Sequence, residues 1–163
     1  MRLTHLADYA VVLMTAAARR DASARLTATE LSDDTGVPLP TAQKLMQQLA
    51  AHGLLVGHRG QGGGYALARP VNEISLADIV EAVEGPIVMT MCADGVNHEC
   101  LLDAHCRVKP HMGIVGNAVR GALGAVSLEH LAGSPAEAGA QARVAPNSAS
   151  PDWAPAFAGA QRS

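Results

Sequence analysis

Cys92, Cys100 and Cys106 stand close together, and the chain has no other cysteines. Seven residues separate the first pair and five the second, with Gly95, Asn97 and Asp103 between them, so the stretch reads as a loop. An odd number of thiols in one short loop does not describe a disulfide framework. It describes a place where three thiolates can converge on one soft metal centre, with a fourth ligand arriving from elsewhere in the fold. The spacing lacks the close cysteine pairs of common zinc ribbons. A structural zinc, or three small core residues with no metal, remain alternatives on these residues alone. No nucleophile–base pair or paired-acid motif stands out, so an enzyme is not expected. Gly60 to Gly64 resembles a phosphate-cradling loop only in composition, because it lacks the lysine and does not sit at a strand-to-helix turn.

A second group of residues has the chemistry to read nucleic acid. Pro38 and Pro40 open a helix that runs to about His52 and Gly53. Ala42, Leu45, Met46 and Leu49 form its apolar stripe, while Thr41, Gln43, Lys44 and Gln47 lie on its other faces. A major groove admits one helix of this kind, with its polar side chains outward and its apolar side on a core. Glutamine can bond adenine through two hydrogen bonds, and lysine can bond guanine or a phosphate. Arg59, flanked by glycines, is placed to enter a narrow minor groove. Taken alone, a polar helix face is merely solvated. The elements on either side change that reading.

Those elements follow from periodicity and caps. Leu3, Leu6, Ala7, Ala10, Met14 and Ala17 recur at helical spacing and predict a helix from Leu3 to about Arg20, with Asp8 off the stripe. Thr27 and Glu30 form a capping-box signature for a short second helix that stops near Gly36. Beyond the polar-faced helix, Leu54–Val56 and Tyr65–Ala68 flank a glycine-rich turn and read as a β-hairpin. Helix, short helix, turn, polar-faced helix and hairpin make a winged helix-turn-helix. Ser75 and Asp78 begin a fourth helix, with Ile79, Val80 and Val83 on its apolar side and Gly85–Pro86 closing it. From about Met112 to Val126 a further helix is expected, with Ile114, Val115, Ala118, Val119, Ala122, Leu123 and Val126 on one stripe. A domain this small has limited need for that stripe in its own core, so pairing with a second copy is the expected use. Ser127 can cap a last short turn through Leu131.

The expected fold class is therefore mainly α with a small β-hairpin: a winged helix-turn-helix over 1–70, and a helix, cysteine loop and dimerisation helix over 71–132. The segment 133–163 is rich in Ala, Gly, Pro, Ser and Gln and reads as a disordered tail. Trp153 and Phe157 sit within it at i,i+4 and carry half of the aromatic residues, a small docking motif or simply sticky residues in a loose segment.

The chain has 163 residues, 48% hydrophobic but only 2% aromatic, so aliphatic side chains and Met must fill its core. A net charge of −3 argues against a generic polyanion binder. Its distribution is uneven: residues 1–70 hold seven Lys/Arg against five acids, and residues 71–133 hold three against eight. DNA, if it is the partner, meets the first segment. No apolar run is long enough to span a bilayer, and Met1 to Leu6 lacks the apolar core of a signal peptide. A cytoplasmic location is expected, where thiols stay reduced.

Several stretches carry a specific resemblance covering about residues 1–131. They are Met1-Arg2-Leu3-Thr4, Ala7-Asp8-Tyr9-Ala10-Val11, the wing His58-Arg59-Gly60 with Gly63-Gly64-Tyr65-Ala66-Leu67-Ala68-Arg69, Ile74 to Gly85, and the cysteine triplet. Together they resemble the dimeric bacterial regulators that sense iron–sulfur clusters, the family of IscR and NsrR. Leu6 to Val12 and Glu84-Gly85-Pro86-Ile87 are most similar to the branch that regulates the SUF machinery of cluster assembly. The resemblance implies a homodimer on a roughly palindromic operator, acting as a repressor or dual regulator of cluster-assembly genes. It also implies a 2Fe–2S or 4Fe–4S cluster that sets DNA affinity. Cys92, Cys100 and Cys106 would supply three ligands. The fourth, in an NsrR-like pattern, is an acid of the first helix, and Asp8 of the other subunit occupies that position. An IscR-like pattern uses a histidine three residues after the last cysteine. That position is Lys109 here, which leaves His98, His105 and His111 as nearby substitutes. A nitric oxide or redox sensor of the same fold is the alternative signal class, and a zinc-structured protein-interaction module the alternative function.

Overall fold

The computed structural model describes residues 3–21, 24–88, 90 and 106–133, with the side chains of 109 and 110 left aside. Cys92, Cys100, His98, His105, Trp153, Phe157 and the segment 134–163 lie outside the described residues.

Helix α1 spans His5–Ala18, and the Thr4 hydroxyl caps it by accepting the Ala7 amide at 3.3 Å. Ala7, Ala10, Leu13, Met14 and Ala17 form its buried face. Leu3 and Leu6, expected on that face, are instead exposed at 42% and 39%. The apolar stripe therefore continues past the end of this chain's own core. Helix α2 spans Ala28–Thr35 behind a complete Thr27–Glu30 capping box, and Gly36 ends it in the left-handed conformation at φ 75°. The turn into the next helix is pinned by Ser32, whose hydroxyl donates to the Val37 carbonyl at 2.7 Å. Helix α3 spans Leu39–Ala51, with Pro40 in its first turn where a missing N–H costs nothing.

Strands β1, Leu55–His58, and β2, Gly64–Leu67, pair antiparallel from Leu55 opposite Leu67 to His58 opposite Gly64. The hairpin is tied down close to its turn. Leu26, just before α2, exchanges both backbone hydrogen bonds with Tyr65, at 2.8 and 2.7 Å. That bridge adds a one-residue third strand that the sequence reading did not anticipate.

A short 3-10 turn at Val71–Glu73 leads into helix α4, Leu76–Glu84, which starts at a Ser75–Asp78 capping box. Helix α5 spans Lys109–Gly124, beginning three residues before the expected Met112. Pro110 explains the earlier start, since its fixed φ suits the first helical turn. Helix α6, Leu128–Ala132, follows the Ser127 cap. Its Leu128 amide donates to Ile74 O at 2.7 Å, while the Leu76 amide donates to Val126 O at 2.8 Å. The last helix is thereby stitched to the start of α4.

One core runs through the described residues up to Gly133. Leu13, Met14, Leu31, Leu45, Met46, Leu49, Leu54, Ile74, Ile79 and Leu128 are all essentially inaccessible, and no polar or charged residue is buried with them. Leu and Ile side chains buried this completely stabilise by about 1.5–3 kcal/mol each. Helix α5 is different: none of its described apolar side chains is buried, and Ile114 is 67% exposed. No helix among the described residues is long and apolar enough to cross a membrane.

Candidate nucleic-acid interface and cysteine segment

Helix α3 divides its residues cleanly. Ala42, Leu45, Met46 and Leu49 are at 0% exposure against the core, which fixes the rotation of the helix about its axis. Gln43, Lys44 and Gln47 then face solvent, and Thr41 is half-buried at the same end. The helix lacks an acid in its first turn, so nothing there repels a phosphate from its positive end.

The wing places a second set of groups beside it. A cleft of about 510 Å³ is lined by Gln47 from α3 and by His58, Arg59 and Tyr65 from the hairpin. Gln47 and Arg59, which the sequence singled out separately, thus share one concave surface. The turn that carries Arg59 has Gly60 at φ 104° and Gly62 at φ 76°. Gly63 and Gly64 are required for a steric reason. A Cβ on Gly63 would lie 2.7 Å from His58 O, and one on Gly64 would lie 2.8 Å from Leu26 O.

Two further groups lie in or beside this cleft, and the sequence reading did not single them out as contacts. His58 ends β1 next to Arg59, and Arg25 lies alongside Gly64 because Leu26 pairs with Tyr65. Arg25 carried no signal beyond being one of seven basic residues in the first segment, since its placement depends on a bridge between distant positions. Arg20, another of those seven, is engaged elsewhere. It pairs with Asp34 of α2, and that hydrogen bond, helped by the attraction of the two charges, holds its guanidinium more firmly protonated.

Of the candidate metal ligands, Cys106, Asp8 and the substitute His111 are described. Cys106 is half-buried with a free thiol, three residues before α5, and Asp8 is exposed in the first turn of α1. His111 is exposed on α5. Among the described residues no three His, Cys, Asp or Glu side chains converge. Three thiols with one carboxylate nonetheless make a donor set that suits iron in a sulfide cluster, because thiolate and iron–sulfur centres are matched in softness.

The C-terminal turn of α4 anchors the flanks of the cysteine segment. Glu81 takes Arg120 of α5 in a two-pronged pair, Nε to Oε1 at 2.9 Å and Nη2 to Oε2 at 3.1 Å. Its Oε1 also accepts the Ile87 amide at 3.4 Å. One turn on, Glu84 accepts the Thr4 amide at 3.2 Å and the Thr4 hydroxyl. Asp78, at the other end of α4, feels partial burial that would raise its pKa. The Ser75 amide and hydroxyl, with Arg69 and Arg120 nearby, outweigh that and hold it below the ordinary carboxylate value.

A helix-turn-helix with an outward polar second helix and a tethered wing defines a winged-helix transcriptional regulator. The chain belongs to the Rrf2 family: the family profile, described as an iron-dependent transcriptional regulator, matches residues 3–134. It is a regulator of the IscR/Rrf2 type and not an enzyme. The HTH-type transcriptional regulator IscR of Photorhabdus laumondii is 29% identical over 131 residues, covering 80% of this chain and 79% of that one. IscR of Pectobacterium carotovorum is 33% identical over 92 residues, 56% of each chain. Among solved structures, CymR, the global cysteine regulator of B. subtilis, matches with a TM-score of 0.63 at 24% identity, covering 81% of this chain and 96% of its own. IscR of T. potens matches at 0.58 and 21% identity, covering 78% and 83%. At these identities the two structures share the fold.

Proposed function

We propose that this protein is a homodimeric DNA-binding repressor of iron–sulfur cluster assembly genes. Its operator affinity depends on whether Cys92, Cys100 and Cys106 hold an iron–sulfur cluster. The observation that carries the DNA half is the shared cleft of α3 and the wing, where Gln47 and Arg59 face the same solvent space. Gln43, Lys44 and Gln47 are the base and phosphate contacts in the major groove, with Thr41 at the leading end of the helix. Arg59 follows the backbone into the minor groove.

The cluster half rests on the donor set. Three thiolates leave one ligand position, and the partner subunit's Asp8 is the candidate that an exposed first-turn carboxylate supports. When bound, such a cluster supplies a centre that oxidants, nitric oxide or iron shortage can alter. The chain's own residues supply the response. Cys106 sits three residues before α5, and Asp8 sits in the first turn of α1, so ligation acts on the starts of two helices that carry exposed apolar side chains. A change there alters how two copies pack and hence the spacing of their α3 helices.

The test is anaerobic reconstitution with iron and sulfide, followed by visible absorption, metal analysis and operator titration. The expected product is coloured, contains iron and sulfide, and differs from the apo-protein in operator affinity. A colourless protein holding zinc favours the structural-metal alternative. Equal affinity of loaded and apo forms removes the sensing role.

A further inference from the structure

Two acids in the last turn of a helix are at its unfavourable end, where the macrodipole favours cations. Glu81 and Glu84 hold that position in α4, and each is matched by a contact from outside the helix. The contacts of Glu81 are the informative ones. Its carboxylate is only 23% exposed and borders a cleft of about 180 Å³ shared with His52 at the end of α3, Leu54 before β1, Arg69 after β2 and Asp78. The same carboxylate grips α5 through Arg120 and receives the amide of Ile87, five residues before Cys92 in sequence. Helix α5 touches Ile87 as well: a Cβ on Gly116 would meet Ile87 O at 3.5 Å. Arg69 is itself held at the wing root, donating to Glu73 O at 3.3 Å and standing 3.9 Å from Asp78. Beside it, the Ala68 amide closes the hairpin base on Leu54 O at 3.0 Å.

We infer that Glu81 and Arg120 form a positioning pair that couples the Ile87 end of the cysteine-bearing stretch to the root of the DNA-binding wing. Arg120 is 53% exposed, and an ion pair so open to solvent contributes little to stability. Its effect is geometric. It fixes one carboxylate at the junction of α4, α5 and the chain leading to Cys92. Displacing that chain shifts Glu81, and Glu81 shares its cleft with the side chains that seat the wing. The regulatory use of this link rests on the cluster reading above; the link itself does not.

The experiment uses the full chain with Arg120→Met and Glu81→Gln. In the metal-free protein, amide hydrogen exchange is followed residue by residue. Arg120→Met is expected to speed exchange at both Ile87 and Ala68 while leaving Leu45 in α3 unchanged. Acceleration at Ile87 with none at Ala68 overturns the link to the wing. In the reconstituted protein, both single variants should keep the wild-type iron content. The ratio of loaded to apo operator affinity should move toward one by about fivefold, the scale of a residue that modulates coupling. An unchanged ratio, or loss of iron, overturns the positioning role. If the wild-type protein takes up no iron, the cluster reading fails on its own, and the exchange data still decide the link.

Discussion

Arg59 and Gln47 share a cleft but have different tasks, and substitution should separate them. In the proposed complex Arg59 follows a phosphate track, so Arg59→Ala is expected to weaken binding to operator and unrelated DNA alike. The slope of log affinity against log salt should fall by about one. In the same complex Gln47 meets base edges, so Gln47→Ala should cost about 1–3 kcal/mol on the operator and relax preference at one position. Footprinting and salt titration distinguish the two patterns. Gly64 tests the scaffold beneath them. A methyl group there meets Leu26 O at 2.8 Å, and φ of 154° already disfavours a side chain. Gly64→Ala should break the Leu26–Tyr65 bridge and lower the melting temperature, with Tyr65 amide protection lost first. Sequence alone marked Arg59 and the α3 face because residue type and helical phase suffice for them. It left Arg25 unmarked, since its position beside the wing depends on pairing across about forty residues of chain.

Helices here are defined mostly by their ends, and those ends were legible. Thr27–Glu30 and Ser75–Asp78 form the boxes their spacing predicts. Glu30, through the hydroxyl and then the amide of Thr27, and Asp78, through the balance described above, both lie below their ordinary pKa. A carboxylate depressed in the folded state adds stability that is present above its unfolded pKa and is lost as pH falls through the folded one. Stability should therefore decline as pH falls below about 4. Ser75→Ala should cost about 1 kcal/mol at pH 7 and less at a pH below the folded-state value of Asp78, where the carboxyl is protonated in both states. Urea titration at the two pH values checks this. Less legible was the burial of Leu128, which follows from α6 being sewn to Ile74 by backbone bonds. Backbone pairing between distant segments leaves no periodic trace in the chain.

For the molecule as a whole, the unanswered face is α5 with the start of α1. Ile114 at 67%, Val108 at 56%, and Leu3 and Leu6 near 40% exposure are apolar side chains that the core of the described residues does not absorb. Arg120 ties α5 to Glu81 of α4, while the outer apolar side chains of this helix stay uncovered among the described residues. If the proposed homodimer pairs through α5, Ile114→Asp is a clean probe, because a side chain this exposed carries little of the monomer's stability. Sedimentation should show the dimer weakened by at least about tenfold, while far-UV circular dichroism stays unchanged. A variant that remains fully dimeric places the interface elsewhere. Periodicity identified the stripe on this helix. It also put Leu3 and Leu6 on one stripe with Ala7 and Ala10, since a phase pattern does not say whether an apolar side chain is covered by its own chain or by another.

The Leu26–Tyr65 bridge has a consequence for how such a regulator can respond. It clamps the wing to the strand of backbone feeding α2, so in the proposed homodimer each reading head behaves like one jaw of a calliper, stiff above the wing root. Adjustment then falls on that root and on the joint between the jaws. Promoters that differ by one base pair between their half-sites should be sorted sharply, while single-base changes under α3 should be felt equally in every state of the sensor.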